Sequence, residues 1–369
     1  MAAFLTEVNV KSRYHWNSKT ISKFQRLLLQ WYSDNQRALP WRNNPTPYRV
    51  WISEIMLQQT QVKTVIPYYN RFLKRFPDIQ ALAQSSEKKI LNFWSGLGYY
   101  SRARNLHKAA KQIMRTHGTF PIEYEAILAL PGIGRYTAGA ICSIALNQPR
   151  PVVDGNIRRA LIRLNGIRKL PSESYFWNLM TDLLPGRNPS GFNQAMMELG
   201  ALICVPSQPL CRQCPVKKFC KARQSGIQNE IPKVSNKRIT KQLTIVILLL
   251  EKNGRILIAR SNKPQFIPGE WLLPYRSIPR LESAEKSAST LCRNMLGRDI
   301  PLVQFAQIRH SITEHRIVAY GFRAKEDFRI TELKKTGDYQ WVPCNSYRET
   351  LTSSLFHKIV QRYRNSLLL

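Results

Sequence analysis

Apolar residues recur at helical spacing through the first 225 positions. Ile21, Phe24, Leu27, Leu28 and Trp31 mark one face of a helix over 18–35. The same period predicts helices over 47–63, 86–94, 102–115, 137–146, 155–164, 172–184 and 191–204, with Pro or Gly between them. Residues 226–240 break the pattern: they are polar and basic, contain Pro232 and show no period, which predicts a linker. Beyond it the spacing becomes that of strands. Runs over 243–250 and 255–259 flank Asn253-Gly254, a hairpin signal. A helix over 281–296, strands near 302–308 and 316–322 and a last helix near 351–362 complete an α+β module. The pattern predicts an all-α domain over 1–225 and a mixed domain over 241–369.

Charge adds a partner class. The chain carries 56 Lys and Arg against 23 Asp and Glu, a net +33. Residues 1–225 contribute 32 basic and 11 acidic groups and residues 226–369 contribute 24 and 12, so both halves are basic, the first more so. Such an excess keeps a surface soluble and attracts polyanions, nucleic acid above all, because each neutralised phosphate releases a counterion. The opening Met1-Ala2-Ala3-Phe4-Leu5 reaches Glu7 without an apolar core region, and the longest apolar run, 244–250, is strand-sized. A cytoplasmic, reducing setting is expected, which argues against a disulfide framework for the seven cysteines.

Four short segments carry chemistry. Cys204, Cys211, Cys214 and Cys220 follow a C-x6-C-x2-C-x5-C spacing that lets four thiolates converge on one centre, either zinc or an iron–sulfur cluster. In Leu130-Pro131-Gly132-Ile133-Gly134 two glycines form a tight turn before a helix, where backbone N–H groups can approach a phosphate. Asp154 follows in Val152-Val153-Asp154-Gly155-Asn156, as an N-cap, a reactive carboxylate, or both. Glu54 lies among Ile52, Ile55, Met56 and Leu57, where burial would raise its pKa toward that of a proton donor; the bland alternative is the one wet face of a core helix. Gln58, Gln59 and Gln61, beside Thr60, offer amides suited to base edges. In Trp94-Ser95-Gly96-Leu97-Gly98-Tyr99-Tyr100, next to Arg102 and Arg104, Leu97 is a possible wedge and the tyrosines possible stacking platforms; a core role suits Tyr100 better than both.

As an ordered set these segments resemble the helix-hairpin-helix DNA glycosylases of the endonuclease III group, and within it the adenine-removing branch. The resemblance covers essentially the whole chain. It implies a helix-hairpin-helix over about 120–146, a [4Fe–4S] cluster on Cys204, Cys211, Cys214 and Cys220, and hydrolysis of an N-glycosidic bond in base excision repair. Glu54 would protonate the leaving base and Asp154 would stabilise or trap the oxocarbenium-like sugar, with Tyr136 and Asn156 positioning them. Trp41, Arg42, Gln59, Thr60, Leu97, Tyr99, Gly132 and Gly134 would contact DNA. Strand-cleaving relatives carry a lysine just after the Gly-x-Gly turn; here Arg135 and then Tyr136 stand there, which implies base removal without strand cleavage, Lys169 or another lysine giving at most a weak lyase reaction. The implied partner is double-stranded DNA with adenine opposite 8-oxoguanine or guanine, met by a monomer at the cytoplasmic nucleoid.

Residues 241–369 resemble the Nudix-like domain of that branch, which reads 8-oxoguanine. Hydrolytic Nudix domains hold metal on a run of acids, whereas Thr290-Leu291-Cys292-Arg293-Asn294-Met295-Leu296-Gly297 has none, so recognition without hydrolysis is implied. The branch's Phe-Ser-His reading loop aligns with Ile312-Thr313-Glu314, after Arg309-His310-Ser311 and with His315 one place later, which points to Thr313 and His315 as the contacts. Cys142, Cys292 and Cys344 are assigned to the core.

Overall fold

Short polar side chains set the helix starts in the first half of the chain. Asn17 accepts the Thr20 N–H at the head of α1 (Ser18–Asn35), and Thr46 accepts the Arg49 N–H ahead of α2 (Pro47–Leu57), whose first turn holds Pro47. The computed structural model describes residues 16–233, 241–260, 271–279, 281–312, 315–325, 339–351 and 353–366. α3 (Val62–Arg75), α4 (Ile79–Gln84), α5 (Glu87–Trp94) and α6 (Ser101–Thr116) follow, with Asp78 and Ser86 capping α4 and α5. Next come α7 (Tyr124–Leu128), α8 (Arg135–Ala140), α9 (Gly155–Asn165), α10 (Glu173–Leu183), α11 (Pro189–Glu198) and α12 (Lys221–Gln224). Leu130–Gly134 joins α7 to α8 as a tight turn, giving the expected helix-hairpin-helix.

Several expectations need correcting. The helix over 47–63 ends at Leu57; Gln59 turns left-handed at φ 56° and α3 begins at Val62. The helix over 137–146 is α8 continued by a π-helical turn, Ile141–Ala145, and that over 191–204 is α11 continued by another, Leu199–Ile203. In the stretch read as a linker, Ile227 and Ile231 are buried among Ile157, Phe176 and Phe192, so these residues belong to the first unit's core.

The chain divides into two units. One runs to Ser85 and from Ser101 to Ser235; the other takes Ser86–Tyr100 and the chain from Asn236. The core of the first includes Phe24 and Leu28 of α1, Ile157 and Leu161 of α9, Phe176 and Met180 of α10, and Phe192 and Met196 of α11.

In the second unit β1 (Lys241–Leu249) leads into a two-residue β2 (Glu251–Lys252), β3 (Arg255–Arg260), β4 (Trp271–Leu272) and β5 (Tyr275–Ser277). Then come α13 (Ala284–Leu296), β6 (Leu302–Ile312), β7 (His315–Ala324), β8 (Tyr339–Pro343) and α14 (Ser354–Ser366). β1 is apolar at both alternations because it is covered on both faces. Ile245, Ile247 and Leu249 join Phe356, Ile359 and Val360 of α14, while Val246, Leu248 and Leu250 join Ala288, Cys292 and Met295 of α13. The order in this sheet is β5-β1-β7-β6, with β1 and β7 parallel and the other pairs antiparallel. The hairpin expectation is right about the turn and wrong about one partner. Asn253 and Gly254 have φ 50° and 68°, but they join β2 to β3 in a second sheet, and β1 pairs with β5 and β7 instead. Among the described residues no helix is long and apolar enough to cross a membrane.

Candidate active site

Glu54 occupies the last turn of α2, between Ser53 and Ile55, and is 6% exposed. Burial pushes its carboxyl up to about 7, against a side-chain hydrogen bond with Tyr136 that favours the ionised form; the charge of Asp154 adds to the rise. Tyr136 is placed by α8, directly after the hairpin. Gly132 there has φ 77°, and a Cβ on it would lie 2.7 Å from Cβ of Asn105, so both the turn and the close approach of α6 require glycine. Gly134 forms the N-cap of α8.

Asp154 caps α9. Its Oδ1 accepts the Ile157 N–H at 2.7 Å and its Oδ2 accepts from Asn156 Nδ2 at 3.0 Å. Burial raises its carboxyl above the usual range; the N–H of Ile157, both N–H donors of Asn156 and the Arg159 charge pull it back. Capping and chemistry are therefore compatible at one residue. Arg159 holds Asn156 in turn, donating to its Oδ1 at 2.9 Å, to Gly200 O at 2.7 Å and to Cys204 O at 2.7 Å.

Glu54, Tyr136, Asp154 and Asn156 line one cleft of about 380 Å³, and Trp41, Arg42, Gln59 and Thr60 line it with them. Within it Trp41 is 8% exposed and stands edge-on to Tyr69, while Gln59 is exposed. Leu97 and Tyr99 belong to the other unit, on the loop after α5. There Trp94 Nε1 donates to Gly98 O at 3.1 Å; Leu97 and Tyr100 are buried, and Tyr99, at φ 50°, is 38% exposed. His315 opens β7 opposite Ile312; Thr313 and Glu314 lie outside the described residues.

The cleft also holds groups that the sequence pattern did not single out. Glu198, 1% exposed at the end of α11, accepts from Arg37 Nε at 2.9 Å and Nη2 at 2.7 Å, and from both Arg42 Nη groups at 3.2 Å. Burial alone would raise Glu198; the hydrogen bonds from Arg37 and Arg42 outweigh it and hold the carboxyl at about 2. Gln194 of α11 accepts from Arg42 Nε at 3.2 Å. Arg102 of α6 is buried and donates to the carbonyls of Ile55, Met56 and Gln58 and to Thr60 Oγ1, which terminates α2 and fixes the Gln58–Thr60 turn. The one sequence sign of Glu198 is an acid between Met196 and Leu199; its cations lie more than 150 residues away.

The four expected thiols, Cys204, Cys211, Cys214 and Cys220, line a second small cavity. Arg163 closes it from α9, donating to Val205 O, Pro206 O and Ile231 O, with Nη1 3.4 Å from Cys204 Sγ. Burial, and then Cys204, Cys220 and Cys211, push the Cys214 thiol up to about 12 against a Val216 backbone hydrogen bond. Four thiolates at one cavity would need a cationic centre between them, so the donor set fits a metal cluster. Among the described residues no group of three or more His, Cys, Asp or Glu side chains is placed to hold a metal ion. Cys142 and Cys292 are buried in the core and Cys344 is half-buried.

Residues 52–185 match the family described as HhH-GPD superfamily base excision DNA repair protein. The adenine DNA glycosylase of Homo sapiens is 44% identical over 225 residues, 57% of this chain and 41% of that protein. The adenine DNA glycosylase of Buchnera aphidicola subsp. Schizaphis graminum is 45% identical over 286 residues, 76% of this chain and 81% of that protein. The structure of a thermostable thymine-DNA glycosylase superposes with a TM-score of 0.53 at 28% identity, covering 56% of this chain and 98% of that one. A non-covalent endonuclease III–DNA complex shares the fold at a TM-score of 0.51 and 20% identity, over 58% and 99% of the two chains. Glu54, Tyr136, Asp154 and Asn156 share one cleft, and at 45% identity over 81% of the Buchnera aphidicola subsp. Schizaphis graminum enzyme the chain belongs to the adenine DNA glycosylase family.

Proposed function

We propose that this protein removes mispaired adenine from duplex DNA in base excision repair by hydrolysing its N-glycosidic bond, leaving the strand intact. The observation that carries the reading is a protonated acid facing an ionisable one. Glu54, at about 7, holds a proton near neutral pH in the same cleft as Asp154. Glu54 protonates the departing adenine and, once ionised, activates water; Asp154 stabilises the positive charge that develops on the sugar. Asn156 and the Ile157 N–H keep Asp154 aimed into the cleft, and Tyr136 orients Glu54. Tyr136 offers no amine for a Schiff base, which supports hydrolysis over strand cleavage.

The cleft's Trp41, Arg42, Gln59 and Thr60 would receive the extruded base, Gly132 and Gly134 would hold a phosphate, and Leu97 and Tyr99 would fill the gap in the duplex. Cys204, Cys211, Cys214 and Cys220, which line one cavity, would hold a [4Fe–4S] cluster, which would supply structural cross-linking to the basic loop; likeness to the family favours iron–sulfur over zinc. The second unit, read as Nudix-like, would recognise 8-oxoguanine opposite the adenine through Thr313 and His315. The protein would act as a monomer at the cytoplasmic nucleoid. Excision is tested on duplexes carrying A opposite 8-oxoguanine, A opposite G, and T opposite G. Alkali-dependent cleavage of the adenine strand alone is expected, and Glu54→Gln or Asp154→Asn should cut the rate by on the order of a hundredfold or more with duplex binding retained. Wild-type rates in both variants, or cleavage at thymine, would overturn the reading.

A further inference from the structure

Several arginines of the first unit are committed to partners. Arg37 and Arg42 bind Glu198, Arg102 ends α2, and Arg159 and Arg163 hold the cysteine loop. Arg135 and Arg150 differ. Both are exposed, each guanidinium lies over a ring, and neither side chain makes a hydrogen bond or ion pair among the described residues. Arg135 stacks on Trp177 with 4.1 Å from guanidinium carbon to ring centroid, and Arg150 on Tyr124 with 4.3 Å. The two arginines and two rings line one cleft of about 380 Å³, together with Leu128, Pro151 and Glu125. Glu125 pairs with neither arginine.

A stacked guanidinium is oriented before it binds. The ring holds its plane, while its N–H edge stays open to the oxygens of an anion. The rotamer entropy that a mobile arginine surrenders on binding is thereby partly lost in advance. The position of the cleft selects the anion. α7 ends at Leu128, and Arg135 directly follows Gly134 of the hairpin, so the cleft adjoins the turn proposed to hold a phosphate. An acidic peptide would lack the hairpin contact and would bring its carboxylates up to Glu125.

We propose that the Arg135–Arg150 cleft is a second clamp for the sugar–phosphate backbone of duplex DNA, taking phosphodiesters that lie past the hairpin. This rests on the DNA-repair reading and adds a docking surface that takes no part in the bond-breaking step. The test uses the full-length protein and a short duplex with one adenine mispair, titrated by fluorescence anisotropy between about 50 and 200 mM NaCl. In the Arg135→Ala/Arg150→Ala protein the slope of log Kd against log salt should become shallower by about 2, because two phosphates are no longer neutralised. Single-turnover excision at saturating protein should be unchanged. Arg135→Lys/Arg150→Lys should restore the slope while binding several-fold more weakly than wild type, since a lysine keeps the charge but not the planar fork. An unchanged slope in the alanine protein overturns the proposal. So does slow excision at saturation, which would place these arginines in the reaction, or tighter binding of a poly-glutamate peptide than of duplex. A wild-type protein whose duplex binding ignores salt would instead sink the DNA reading itself.

Discussion

Two carboxyl groups on apolar helices in one cleft acquire opposite protonation. Glu54 is lifted to about 7 by burial, while Glu198, also buried, is held at about 2 by Arg37 and Arg42. The neighbours, not the residue type, decide which is the acid. If Glu54 donates the proton, the single-turnover rate should fall as pH rises through about 7, about tenfold per unit above it. Tyr136→Phe removes a hydrogen bond that favours the ionised form, so the falling limb should move to higher pH; a limb that stays put or moves down contradicts the assignment. Stability carries the same signature. The folded state binds this proton more tightly than the unfolded chain, so wild type loses on the order of 3 kcal/mol as pH rises from about 4.5 to about 7. Glu54→Gln lacks that loss, and denaturant titrations at pH values on either side of the window should show the variant gaining on wild type as pH rises.

At the scale of elements, the cleft depends on breaks in regular structure. Two π-helical turns, Ile141–Ala145 and Leu199–Ile203, supply Ile144 and Ala201 to its wall. In the second, Gly200 lies against α9. A Cβ there would stand 2.6 Å from Cβ of Asn156 and 2.9 Å from its backbone carbon and oxygen, atoms that cannot swing aside. Gly200→Ala should therefore displace Asn156 from Asp154. It should destabilise the fold by about 1–3 kcal/mol and slow excision about tenfold while duplex Kd holds. Rates and anisotropy on one preparation separate the two effects, and an unchanged rate would show that Asn156 need not be held. Regular elements were legible because their signals are local: α1 spans the expected 18–35, closed at its start by Asn17. The end of α2 was not legible. It is set by Arg102, which reaches carbonyls 44 to 47 positions away, and no pattern within the 47–63 stretch encodes that. Glu54 could be read because it is a lone acid inside an apolar run. The Arg37–Glu198–Arg42 group could not, since its members meet only when α11 packs on α1.

At the scale of the molecule, the net charge of +33 is put to use through rigid supports. Lys217 and Arg223 line the four-cysteine cavity, with Lys218 and Lys221 next to them and to Cys220 along the chain, and Arg163 ties that loop to the segment at Ile231. If the four cysteines hold the proposed cluster, Cys214→Ser should remove its visible absorbance and weaken duplex binding by on the order of tenfold or more, because the loop then loses its cross-link. The second unit makes a different contribution. β6 and β7 pair without a break in register from Ala306 to Ile312, so the ladder carries His315, paired with Ile312, to its tip. A tip of this kind suits reading a base that is not cut. One hydrogen bond to a group present in 8-oxoguanine and absent from guanine is worth about 1 kcal/mol or somewhat more, roughly a tenfold preference. If the second unit reads 8-oxoguanine as proposed, Thr313→Ala/His315→Ala should slow excision opposite 8-oxoguanine by about tenfold relative to wild type and leave the A·G rate as it was. Equal losses on both duplexes would mean that the hairpin tip serves general DNA binding, and that the opposite base is read elsewhere.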